Sequence, residues 1–149
     1  MILNKKCVYA LRAVFEIAKQ QHKGVVTINA VAVAQNIPKR FLGTILNQLK
    51  QADILESRRG KLGGYLLARP AKQISVGEVV RFVNGPITPV DCTRNEWDKK
   101  CPMKNRCIFV PVWRDAEKAL AGVLDNNNFA DLLARDEEMN RSGNFSYSI

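Results

Sequence analysis

A mainly α-helical fold with a small β-hairpin wing, a winged helix-turn-helix domain plus a long dimerisation helix, is predicted by three observations. Two short amphipathic segments lead into a third whose outer face is polar and basic. A glycine-rich hairpin pattern with basic residues at its tip follows directly. The charge is also segregated. Residues 1–70 hold twelve Lys/Arg and three Asp/Glu, whereas residues 71–149 hold eleven of each, so the net charge of +9 sits entirely in the first part. That asymmetry is the electrostatic footprint of a phosphate-binding surface.

The elements follow in order. Lys5 to Gln21 carries Leu11, Phe15 and Ala18 at helical spacing, with Asn4 placed to cap it and Gly24 to end the region. Thr27 caps a short second helix that buries Ile28, Val31 and Ala34, and Asn36 closes it. The third helix runs from Pro38 to Gln51, with Pro38 in its first turn and an apolar stripe of Phe41, Leu42, Ile45, Leu46 and Leu49. Its opposite face presents Arg40, Thr44, Asn47 and Gln51, with Lys39, Gly43 and Gln48 beside them and no acidic residue before Asp53. Short and amide side chains with cations at the helix start are what reads base edges and holds phosphates in a major groove. A helix facing only water more often shows Glu/Lys pairs four residues apart.

Ile54 to Ala68 reads as a two-stranded hairpin whose tip bears Arg58, Arg59 and Lys61 among glycines. Such a tip is narrow enough for a minor groove, where an inserted arginine senses groove width and potential. Ser75-Val76-Gly77-Glu78 is a capping box, so a helix is expected over Val76–Val83. An irregular stretch from Gly85 leads to Pro111, which opens a long helix. Its stripe, Val112, Trp113, Ala116, Leu120, Val123 and Leu124, is too apolar for a lone arm in water. Pairing with a second copy buries that stripe and fixes the spacing of two reading helices. A short turn is expected at Phe129–Leu133. The expected organisation is therefore a winged helix-turn-helix DNA-binding domain over 1–84, a cysteine loop over 85–110, a dimerisation helix and short helix over 111–134, and a flexible tail over 135–149.

Four cysteines occur, and Cys92, Cys101 and Cys107 lie in the loop with gaps of eight and five residues. These gaps do not match the CxxC pairs of zinc ribbons. Three clustered thiolates suit an iron–sulfur cluster, [2Fe-2S] or [4Fe-4S], and Lys99, Lys100, Lys104 and Arg106 nearby favour the thiolate form. A fourth ligand is left open between Cys7, a soft donor near the start of the first helix, and the loop carboxylates Asp91, Glu96 and Asp98. His22, the only histidine, sits at the Gly24 turn as a solvated surface residue.

No apolar run approaches the roughly 20 residues that span a bilayer, and the N-terminus lacks the pattern of a secretion signal. A cytoplasmic protein is expected, with thiols or metal ligands rather than structural disulfides. No catalytic constellation is visible. The Gly60-Lys61-Leu62-Gly63-Gly64 tip lacks the spacing and the following Ser/Thr of a phosphate loop. An enzyme, a small-molecule substrate and a membrane partner are accordingly not expected. A small iron–sulfur electron carrier leaves the polar third helix and the basic wing without purpose, whereas a metal-free regulator sensing oxidants through its thiols stays open.

Tyr9-Ala10-Leu11-Arg12, the wing Arg59-Gly60-Lys61-Leu62-Gly63-Gly64-Tyr65-Leu66-Leu67, Ile74-Ser75-Val76-Gly77-Glu78-Val79, the cysteine trio and Val112-Trp113-Arg114-Asp115 together resemble the Rrf2 family of bacterial regulators. The resemblance spans roughly residues 1–135. It implies a homodimer on double-stranded DNA, at a roughly palindromic operator, with cluster state setting affinity. It implies the three loop cysteines as cluster ligands, Arg59 as the minor-groove arginine, and the outer face of the third helix as the base-reading surface. Two family positions for a fourth ligand are occupied here by Val110 and Val8, and Gly43 stands where a polar reading residue is common.

Overall fold

The computed structural model describes residues 3–93, 101–103 and 106–143. Six helices and one hairpin follow in the order α1 (Lys5–Gln20), α2 (Ile28–Gln35), α3 (Lys39–Gln51), β1 (Leu55–Arg58), β2 (Gly64–Leu67), α4 (Val76–Asn84), α5 (Val110–Asp125) and α6 (Phe129–Arg141). The mainly helical class with a hairpin wing is thus the observed one.

Local chemistry sets most boundaries. The Asn4 side chain accepts a hydrogen bond from the Cys7 N–H at 2.8 Å and starts α1. The Thr27 hydroxyl accepts from the Ala30 N–H at 3.2 Å and starts α2. Asn36 ends α2 in the left-handed conformation, φ 49°, a shape tolerated by Asn. Its neighbour Ile37 is buried, so the α2–α3 turn is pinned from inside. The Ser75 hydroxyl caps α4 through the Glu78 N–H at 3.1 Å. The reciprocal half of the expected capping box does not form, because the Glu78 carboxylate pairs with Arg69 instead.

The core gathers Ala13, Val14 and Ile17 of α1, Val31 of α2, Leu42, Leu46 and Leu49 of α3, and Leu55 and Leu67 at the base of the wing. The hairpin pairs Leu55 with Leu67 and Arg58 with Gly64. Val26 joins it as an isolated bridge to Tyr65, with N–H to O distances of 2.9 and 2.8 Å. Gly64 makes this approach feasible, since a Cβ there would lie 2.6 Å from the Val26 carbonyl oxygen. Behind the core, Glu16 is buried yet satisfied by the Gln20 and Gln35 amides, each at 2.5 Å. Arg12 closes this clasp by donating to the Gln35 side chain at 3.0 Å.

Three expectations change. Phe41 does not join the α3 core stripe and is 47% exposed. In α2 only Val31 is buried, with Ala34 exposed. The short turn expected at Phe129–Leu133, with a flexible tail from 135, is instead a helix through Arg141. Asn128 caps that helix through the Asp131 N–H, Phe129 is buried in the main core, and Asp136 pairs with Lys19 of α1 at 2.7 Å. Residues 144–149 lie outside the described residues.

Candidate nucleic-acid interface and cysteine loop

α3 exposes Lys39, Arg40, Thr44 and Asn47 on one side, while Leu42, Ile45, Leu46 and Leu49 hold the other side in the core. Gln48 is half-buried at the edge of that face. Gly43 is turned toward α2: a Cβ there would meet Ile28 Cδ1 at an ordinary 3.8 Å. At the wing, Arg58, Arg59 and Lys61 are exposed. Among the described residues only Arg58 of these has an acidic partner, Glu56, at a loose 4.0 Å. An ion pair that open to water contributes little, so the wing cations are available to an anionic partner. A small rigid core therefore presents a polar helix face and a basic hairpin as two separate projections.

The cysteines divide into two environments. Cys7 has no exposed surface and packs with Val80 and Ile87, bordered by Leu3, Leu11 and Leu124. Burial pushes its thiol pKa up, which favours the neutral form rather than the thiolate that binds metal. Cys92, Cys101 and Cys107 are free and half-exposed. Cys92 sits in a 3-10 turn, Asp91–Thr93, that packs on α5, and the Cys107 carbonyl accepts from the Val110 N–H at the start of that helix. Three free, half-exposed thiols are the right donors for an iron–sulfur cluster. Among the described residues, however, no three His, Cys, Asp or Glu side chains converge as a metal-holding group. The Cys7 position finds no support as a ligand in this packing. Glu96 and Asp98, the other loop candidates besides Asp91, lie outside the described residues, as do Lys99, Lys100 and Lys104.

The stripe of α5 splits in two. Leu124, with Ala121, turns inward against the Cys7–Val80–Ile87 cluster. Val112, Leu120 and Val123 are 54, 38 and 64% exposed, while Trp113 and Ala116 are half-buried, and Trp113 stacks on Phe109 at 6.2 Å. The inward side is locked to α4 by a two-pronged ion pair, Arg81 to Asp125 at 2.6 and 2.7 Å. That pairing holds the Asp125 carboxyl below its ordinary pKa and raises that of Arg81. Past α5, Val76 donates to the Asn127 carbonyl and Phe129 to the Ile74 carbonyl. The C-terminal end of α5 is thus bolted to the helix that follows the wing.

A family of regulators described as "Iron-dependent Transcriptional regulator", Rrf2, matches residues 3–135 of the chain. The chain belongs to the Rrf2 family. It is 32% identical over 137 residues to the HTH-type transcriptional regulator IscR of Sodalis glossinidius, covering 92% of this chain and 81% of that protein. Among solved structures, it is similar to CymR, the global cysteine regulator of B. subtilis, at 27% identity and a TM-score of 0.74. That match covers 91% of this chain and 98% of the other. The IscR of T. potens matches at 26% identity and a TM-score of 0.74, covering 93 and 90% of the two chains. This Rrf2 chain is a winged helix-turn-helix transcription regulator, and no helix among its described residues is long and apolar enough to cross a membrane.

Sequence reasoning placed the α3 face and the wing correctly on the surface. It missed Lys5, Lys6 and Tyr9, which share a cleft with Phe41 and Thr44 of α3. The available signal was the Lys5-Lys6 pair at the start of a helix within the basic part of the chain.

Proposed function

We propose that this Rrf2 protein is a homodimeric repressor that binds a roughly palindromic DNA operator in the cytoplasm. Its affinity is set by an iron–sulfur cluster held by Cys92, Cys101 and Cys107. The observation that carries the DNA half is the pair of projections from one small core, a polar α3 face and a basic wing with one loose acidic neighbour among the described residues. In this scheme Lys39 and Arg40 hold phosphates, Thr44, Asn47 and Gln48 read base edges, and Arg58, Arg59 and Lys61 follow the minor groove. Trp113, Ala116, Leu120 and Val123 pair across the dimer, while Leu124 supports α5 from behind. The family description, "Iron-dependent Transcriptional regulator", supports iron dependence.

When bound, the cluster supplies a centre that responds to iron supply, oxidant or nitric oxide. The chain's own part is to carry that state inward. The turn that holds Cys92 packs on α5, Cys107 leads into its start, and α5 is fixed to α4 by Arg81–Asp125. Coupling requires the two states of the protein to differ in affinity for cluster and DNA alike. A second reading, thiol-based sensing without metal, is favoured by the free, half-exposed cysteines that do not converge among the described residues. Iron and sulfide analysis of anaerobically prepared protein separates the two.

The DNA half is tested on operators selected from a random DNA library. Arg59→Ala is expected to weaken binding with fold and dimer mass unchanged, and wild-type binding should fall steeply with salt. Wild-type affinity in Arg59→Ala removes the wing from the scheme, and a flat salt response contradicts DNA binding through this surface.

A further inference from the structure

The first turn of α1 and the outer side of α3 enclose an open cleft of about 540 Å³, lined by Lys5, Lys6, Tyr9, Phe41, Thr44 and Ile45. Its walls are largely apolar and its rim is cationic. Phe41 is 47% exposed, so its ring serves the cleft rather than the core. The Arg40 guanidinium lies over that ring at 4.6 Å, which adds a third positive charge to the rim. Lys5 and Lys6 are exposed, and neither makes an ion pair among the described residues. Thr44 belongs both to the cleft and to the polar face of α3, so whatever fills the cleft lies beside whatever α3 reads.

A groove with apolar walls and a cationic rim matches a sugar–phosphate strand, whose deoxyribose faces are apolar and whose phosphates each carry a negative charge. An uncharged apolar ligand would leave the cationic rim unused. We propose that the cleft seats the DNA backbone bordering the groove that α3 enters. Lys5 and Lys6 neutralise phosphates, and Tyr9 and Phe41 pack on the sugars. The opposite side of the same helical turn, Leu3, Cys7 and Leu11, is packed against α4 and α5, so the two lysines stand on a helix braced from behind. This inference rests on the DNA-binding reading and adds a second anchoring point to it.

The test uses the full-length protein and its selected operator. Lys5→Gln/Lys6→Gln is expected to make the plot of log affinity against log salt shallower by about 1.8 per bound protomer, at about 0.9 per phosphate. Affinity at low salt should fall at least about tenfold, and backbone protection from hydroxyl radicals should disappear beside each α3 site. Phe41→Ala should weaken binding at unchanged slope. A control pair on other surfaces, Lys72→Gln/Lys118→Gln, should leave the slope alone. An unchanged slope and footprint in Lys5→Gln/Lys6→Gln overturns the inference. So does an equal shift in the control pair, or wild-type affinity in Phe41→Ala. Wild-type protein that binds no DNA overturns the parent reading and the cleft together, so the two failures are distinguishable.

Discussion

Replacing Gly77 by alanine is expected to reveal the bolt between α4 and α5. A Cβ at this position would lie 1.9 Å from Asp125 Oδ1, 3.0 Å from its Cγ and 3.1 Å from Arg81 Nη1. The Asp125 carboxylate must therefore leave Arg81. The pair is 44 and 41% exposed, which places its contribution at about 0.5–1 kcal/mol. Alanine in a helix is favoured over glycine by up to about 0.8–1 kcal/mol, so Gly77→Ala alone should leave stability nearly unchanged. In an Asp125→Ala background the new methyl meets only the flexible end of Arg81, Nη1 at 3.1 Å among the described residues, which can give way, and the same substitution should stabilise by about 0.5–1 kcal/mol. The coupling in this four-protein cycle is then about 1 kcal/mol, or about 3 °C in Tm for a chain of this size. Denaturant titrations of the four proteins measure it. A coupling of zero refutes the steric argument and the bolt with it.

Three further outcomes are expected. Because Arg81 holds the folded Asp125 carboxyl below its ordinary pKa, the pair's stabilisation is present above the ordinary carboxylate range and lost as pH falls through the folded value. Asp125→Asn should therefore show a shallower acid loss of stability than wild type, as read from Tm against pH. Cys7→Ser should cost about 1–3 kcal/mol by placing a hydroxyl in an apolar cluster. Cys7→Ala should cost less, and neither should change iron content, which elemental analysis checks. Val123→Glu places a charge on the exposed side of α5 and should convert dimer to monomer in sedimentation velocity without loss of helical circular dichroism.

The legible parts of this protein were those set by neighbours in sequence. Caps at Asn4, Thr27 and Ser75, the left-handed Asn36 and the glycine-flanked hairpin each act within a few residues, so α1 to β2 could be read with small errors at the ends. The outward face of α3 was legible for the same reason, since a 3.6-residue period assigns inside and outside once the apolar stripe is known. Phe41 escaped because periodicity counts any apolar side chain as core, whereas its ring falls where α1 leaves a cleft. α6 escaped because its anchor is tertiary: Phe129 is buried by residues far along the chain, and the preceding Asn126-Asn127-Asn128 reads as a stop rather than a new cap. Cys7 looked like a soft ligand by element alone. Its spacing of four residues from Leu3 and Leu11 was the mark of a core position. Gathering Cys92, Cys101 and Cys107 depends on long-range arrangement of the loop, which no local pattern encodes.

The most direct test of the proposed control is operator affinity measured on one anaerobic preparation before and after cluster removal, with iron and sulfide assayed in each state. The account predicts coloured protein whose Kd changes at least about tenfold on cluster loss, a coupling near 1.4 kcal/mol. Cys92→Ala, Cys101→Ala and Cys107→Ala should each abolish both the colour and the difference, and Cys7→Ala should preserve them. Equal affinity in the two states, or protein that stays colourless after anaerobic reconstitution, contradicts control by a cluster.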